Sequence, residues 1–181
     1  MTKPLWQPAP EEIAATVIHR FCGALSRKSG QPLAGSDDLH RLSVREPERF
    51  WTEFWTFAGI IGDPGAAPYL VDGDRIERAR FFPDASLNYA ENLLTRTDQS
   101  TAIVFRGEDK VSASWSWQRL SSAVAGFQER YRAAGVGAGD RVAAILPNLP
   151  ESIAAFLGAA SIGAVWSSCS PDFGVGGVLD R

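Results

Sequence analysis

GDRVAAILPNLPESIAAFLGAASIGAVW, residues Gly139–Trp166, reads as one complete supersecondary unit. Val142-Ala143-Ala144-Ile145-Leu146 is a short apolar run behind a charged pair, which predicts a buried strand over Arg141–Leu146. Pro150-Glu151 then opens a helix. Proline at the first helical position forfeits no hydrogen bond, and a carboxylate there meets the positive end of the helix dipole. Ile153, Phe156, Leu157 and Ala160 recur at helical spacing, Gly163 stops the helix, and Ala164-Val165-Trp166 begins a second strand. Strand, helix, strand within so few residues predicts two parallel strands joined by a right-handed crossover.

The same grammar extends upstream. Ala102-Ile103-Val104-Phe105 is a short strand, Arg106 to Lys110 a hairpin turn, and Val111 to Trp115 the returning strand. Ser116 caps a helix with Trp117, Leu120, Val124, Phe127 and Tyr131 on its apolar side, ended by Gly135. Ser86 to Leu94 reads as a helix after the Pro83-Asp84 turn. The alternation predicts an α/β arrangement, a parallel sheet covered by helices. Downstream, Gly174 to Arg181 looks like a loop entering a helix, and the sheet is not closed.

Before residue 80 the pattern is helical. Pro10, Glu11 and Glu12 start a helix that Ile13, Val17, Phe21 and Leu25 carry to Lys28, with Gly30 as its stop. Ser36-Asp37-Asp38 opens a second helix. Ser43 and Glu46 have capping-box spacing before Pro47. A third helix then bears Phe50, Trp51, Phe54, Trp55 and Phe57, an apolar payload expected to dock the helical part onto the α/β part. The expected organisation is residues 1–80 and residues 81–181.

Composition narrows the function. With 18 Lys+Arg against 21 Asp+Glu, and neither half basic, a nucleic-acid footprint is excluded. Two cysteines, Cys22 and Cys169, do not make a disulfide framework, so a reduced, cytoplasmic protein is expected. No apolar run approaches the length of a membrane span. Gly135-Val136-Gly137-Ala138-Gly139 follows a helix and precedes a strand, the reverse of a dinucleotide fingerprint, and reads as a helix stop. Asp172-Phe173-Gly174 lacks the other kinase signatures. His19 and His40 have no partners at metal-ligand spacing, and Cys22 reads as core. Lys3, Lys28 and Lys110 are the only lysines, and none follows a Gly-rich loop that would cradle phosphates. No catalytic residue and no metal site can be named. Trp166 to Gly174 is the remaining candidate, a run of small polar residues beyond the end of a parallel strand, where open α/β sheets bind ligands. On the residues alone an ordinary loop is an equal reading.

A family resemblance runs over nearly the whole chain. Phe81-Phe82-Pro83-Asp84-Ala85-Ser86-Leu87-Asn88-Tyr89-Ala90-Glu91-Asn92-Leu93-Leu94 resembles the entry segment of short-chain acyl-CoA synthetases. Gly139 to Asn148, Pro150-Glu151 and Ile162 to Trp166 resemble the strand–turn–helix of adenylate-forming enzymes. Pro4 to Pro8 and Ser167 to Gly174 resemble the acetoacetate-activating branch. The resemblance implies a helical N-terminal extension, residues 1–80, followed by the first βαβ units of an AMP-binding large domain, residues 81–181. It implies a two-step ligase that uses ATP, magnesium and coenzyme A, with acetoacetate as substrate and the remainder of the ligase chain as intramolecular partner. An acetate or propionate enzyme and a non-catalytic module of the same fold are the alternatives. Ser170, Pro171 and Asp172 align with a stretch that lines the coenzyme A channel in related synthetases, although that stretch is Phe-Gly-Gly there. Arg181 aligns with a helix arginine near the channel. The family's phosphate loop, adenine motif, ribose-binding aspartate and C-terminal lysine are absent, so this chain alone is expected to be inactive.

Overall fold

A computed structural model describes residues 5–108 and 111–180. Lys3, Pro4, Lys110 and Arg181, which figure in the sequence expectations, lie outside the described residues. The chain divides into two compact units, Met1–Ser86 and Leu87–Arg181.

The first unit is helical. The helix expected over 10–28 is two helices, Pro10–Ala14 (α1) and Val17–Ser29 (α2). Thr16 makes the break. Its hydroxyl donates to the Ile13 carbonyl at 2.8 Å and accepts from the His19 N–H at 3.2 Å, closing one helix and capping the next. Gly30 ends α2 in the left-handed conformation, φ 67°. Ser36–Arg45 (α3) and Pro47–Ala58 (α4) follow. The expected capping box does not form: α3 runs through Ser43, whose hydroxyl donates to the His40 carbonyl, and Glu46 pairs with Arg49 at 2.8 Å. After Gly62–Asp63 (β1), Leu70–Val71 (β2) pairs antiparallel with Arg80–Phe81 (β3).

Three side chains of α2, Phe21, Cys22 and Leu25, are the buried core here. Phe21 lies edge-on to Phe50 and Phe54, 5.6 Å from each, and 4.8 Å from Phe57. Trp51 meets Phe81 and Trp55 meets Phe82, so the aromatic helix finds these ring partners inside its own unit. Burial, then the Asp38 carboxylate, raises the Cys22 thiol above its ordinary value, as a core cysteine requires.

Ser86–Leu87 (β4) straddles the boundary. The helix expected over 86–94 is only Tyr89–Leu93 (α5), because Asn88 caps it by accepting from the Glu91 N–H at 3.1 Å. Thr101–Gly107 (β5) and Val111–Ser116 (β6) form an antiparallel hairpin. Trp117–Ala133 (α6) starts on the Ser116 hydroxyl, as expected. Arg141–Ile145 (β7), Pro150–Ser161 (α7) and Val165–Cys169 (β8) are the βαβ unit, with β7 and β8 parallel from Arg141↔Val165 to Ile145↔Cys169. Val175–Leu179 (α8) follows. The Gly135–Gly139 loop is structural: Gly135 and Gly139 adopt φ 81° and 84°, and the Gly139 N–H donates to the Gly163 carbonyl at 2.9 Å.

Ala90, Trp115, Leu120, Val124, Ala154 and Leu157 form the second unit's core. α6 and α7 approach so closely that a Cβ on Gly158 would sit 2.7 Å from Phe127 Cβ. Among the described residues no helix is long and apolar enough to cross a membrane.

Candidate functional site

Strand alternation sends Val142, Ala144 and Trp166 to one face of the β7–β8 pair and Ala143, Ile145, Val165 and Ser167 to the other. α7 packs on the first face, where Phe156 lies 6.1 Å from Trp166. Val178 of α8 shares a cavity of about 400 Å³ with the second. α7 follows β7 and α8 follows β8. Open α/β sheets bind ligands beyond the carboxyl ends of their strands.

A cleft of about 480 Å³ opens there. Leu146, Pro147 and Asn148 after β7 form one wall. Ser152, Ile153 and Phe156 of α7 form a second. Trp166, Ser168, Cys169 and Ser170 complete it. The ladder extends into it, with the Leu146 N–H donating to the Cys169 carbonyl at 3.2 Å. The Trp166 indole donates to the Ser168 hydroxyl at 3.0 Å, and the Ser152 hydroxyl donates to the Pro147 carbonyl at 2.8 Å. The result is an apolar floor with hydroxyls and one amide at its rim. It suits a slender ligand with apolar segments and amide groups, and it offers no charge for phosphates.

Of the three residues singled out from the sequence, only Ser170 lines this cleft. Its hydroxyl donates to the Asp172 carboxylate at 2.9 Å and accepts from the Asp172 N–H at 3.3 Å, which pins the turn after β8. Asp172 borders a separate depression with Phe173, Gly174, Gly177 and Asp180. Pro171 is exposed between them. Asn148, Ser152 and Phe156 were not anticipated. The available signal was the i, i+4 pairing of Ser152 and Phe156 on the first turns of α7, just beyond a strand end.

His19 and His40 are exposed, and Lys28 is held by Glu53 at 2.5 Å in the first unit. Among the described residues no group of three His, Cys, Asp or Glu side chains is assembled that could hold a metal ion.

Residues 91–178 match the family model of the AMP-binding enzymes. An acetoacetyl-coenzyme A synthetase of Rhizobium meliloti (strain 1021) is 50% identical over 179 residues, 99% of this chain and 27% of the relative. The acetoacetyl-CoA synthetase of Macaca fascicularis is 39% identical over 182 residues, 98% of this chain and 26% of the relative. A solved acetoacetyl-CoA synthetase from Streptomyces lividans superposes with TM-score 0.86 at 39% identity, over 99% of this chain and 28% of that one. The chain spans about a quarter of the length of the relatives it matches.

Proposed function

We propose that this chain, homologous along its length to the N-terminal quarter of acetoacetyl-CoA synthetases, is the opening part of an ATP-dependent acid–thiol ligase that forms acetoacetyl-CoA from acetoacetate, ATP and coenzyme A. The observation that carries this is the 50% identity over 99% of the chain. In the first step an acetoacetate carboxylate oxygen attacks the α-phosphorus of ATP, giving the acyl-adenylate and releasing pyrophosphate. In the second the coenzyme A sulfur attacks the acyl carbon, its proton passes to solvent, and AMP leaves.

Residues 1–80 are the helical extension in this proposal, and residues 81–181 the start of the AMP-binding large domain. Phosphoryl chemistry rests on positioned cations and oriented N–H groups. Lys28 pairs with Glu53 in the first unit, and no charged side chain lines the cleft beyond β8. In this proposal the groups that act on the phosphates and their magnesium lie in the rest of the ligase chain, and the 181-residue chain alone is expected to turn over no substrate. Two free cysteines suit a cytoplasmic setting.

The segment Ser170-Pro171-Asp172 is proposed to border the path of the coenzyme A arm. Support comes from Ser170 at the rim of a neutral, apolar-floored cleft beyond β8, which suits an amide-bearing thiol arm better than a triphosphate. Replacing Ser170 with Trp in the full-length enzyme should block thioester formation while pyrophosphate–ATP exchange, which reports adenylation alone, is retained. Equal loss of both half-reactions, or loss of neither, would refute that role.

A further inference from the structure

The first residues of α5 reach the cleft indirectly. Asn88 is fixed from three sides. Its amide Nδ2 donates to the Ala160 and Ser161 carbonyls at the end of α7, at 3.1 and 3.2 Å, while its Oδ1 caps α5. Ala90, two residues on, is fully buried. The backbone that carries Tyr89 is thus clamped to α7, although Tyr89 itself is 55% exposed. Its ring stands 5.7 Å from Phe156 at an interplanar angle of 47°. Phe156 in turn meets Trp166, and Trp166 holds the Ser168 hydroxyl. The last three residues all line the cleft.

We infer that Tyr89 is a positioning residue for the cleft: acting through Phe156, it holds the Trp166 indole and the Ser168 hydroxyl in place on the cleft wall. Phe156 is part-buried and packs against the core of the second unit, with Tyr89 and Trp166 as its ring neighbours. An aromatic side chain that loses one of its ring neighbours gains rotameric freedom, and the hydrogen bond at the end of the row loosens with it. The Tyr89 hydroxyl has no part in this, so the ring alone should suffice. That the cleft wall bears on coenzyme A rests on the function proposed above.

The test begins on the 181-residue chain, by following solvent exchange of the six tryptophan indole N–H groups by nuclear magnetic resonance, with Trp166→Phe for assignment. Tyr89→Ala should speed exchange at Trp166 by about three- to tenfold relative to the other indoles, and Tyr89→Phe should restore it. No change at Trp166, or a common acceleration of all indoles that tracks global stability, would overturn the inference. In the full-length enzyme Tyr89→Ala should also raise KM for coenzyme A while leaving pyrophosphate–ATP exchange and kcat within about twofold. Faster Trp166 exchange with an unchanged KM would uphold the positioning role and remove the cleft from the coenzyme A path.

Discussion

The two units are stabilised in different ways. The first is rich in large rings yet buries little. No side chain of α3 or α4 is fully buried, and Trp51 and Phe54 remain 40% and 37% exposed. Three of its rings meet at Phe21, which is buried beside Cys22 and Leu25. The second unit has fewer rings in its centre and buries more, because Ala90, Ala154 and Gly158 let α5, α6 and α7 approach until Leu120, Val124 and Leu157 interlock. Aromatic abundance in a sequence therefore marks where rings meet one another, while small residues mark where a dense core is built.

Truncation should expose the contrast most clearly. Phe21→Ala removes a ring that three others contact, and is expected to cost about 3–5 kcal/mol in denaturant unfolding followed by a probe in the first unit. Leu157→Ala, at a fully buried site, should cost about 2–5 kcal/mol with a probe in the second, toward the lower end if neighbouring alanines and Val124 close the gap. A larger loss for Leu157→Ala than for Phe21→Ala would reverse the idea that the first core depends on the rings meeting at Phe21.

Gly158→Ala tests close approach from the other direction. The added methyl meets Phe127 Cβ and the α6 backbone, so destabilisation of about 1–3 kcal/mol is expected, against stabilisation of about 0.5–1 kcal/mol for Gly126→Ala, a mid-helix position where nothing lies within 4 Å. Equal effects at the two positions would show that the helices separate freely.

Acid should produce the smallest difference. Asp38 in the first unit is held below the usual carboxylate range mainly by the Ala34 N–H, with Arg41 adding to it. Asp98 in the second is lowered to about 2 by the Ser100 hydroxyl and N–H, with Arg96 adding to it. Both native-state values lie below the unfolded ones, so each contribution is complete above about pH 4 and is lost as pH falls through the folded value. For Asp98 the loss should extend down to about pH 2, and a proton titration followed by carboxyl chemical shifts should place its midpoint there. Asp98→Asn should flatten that part of the stability profile, and an unaltered profile would show that the Ser100 contacts contribute nothing.

Local chemistry made much of the fold legible. Pro47, Ser116, Pro150 and Gly163 act on the backbone within one turn, and the helix boundaries they mark agree with the structure. The errors arose where two local signals competed. Thr16 split a continuous apolar stripe, Asn88 capped a helix expected to begin at Ser86, and Ser43 was consumed inside α3.

The sequence by itself determined the βαβ unit, the parallel direction of its strands and the placement of Ser170 to Gly174 beyond a strand end, whereas Ser167, Ser168 and Cys169, expected in the loop, extend β8. These follow from hydrophobic periodicity and from turn residues whose effects are short-range. Only the tertiary structure decided that Ser170 faces the cleft while Asp172 turns away, that Asn148, Ser152 and Phe156 share the cleft wall, and that the Tyr89 ring meets Phe156. The reason is physical. Periodicity specifies which face of an element a side chain occupies, but which neighbour it meets depends on helix packing distances, and these are set by contacts such as Gly158 against Phe127, thirty-one positions apart in the chain.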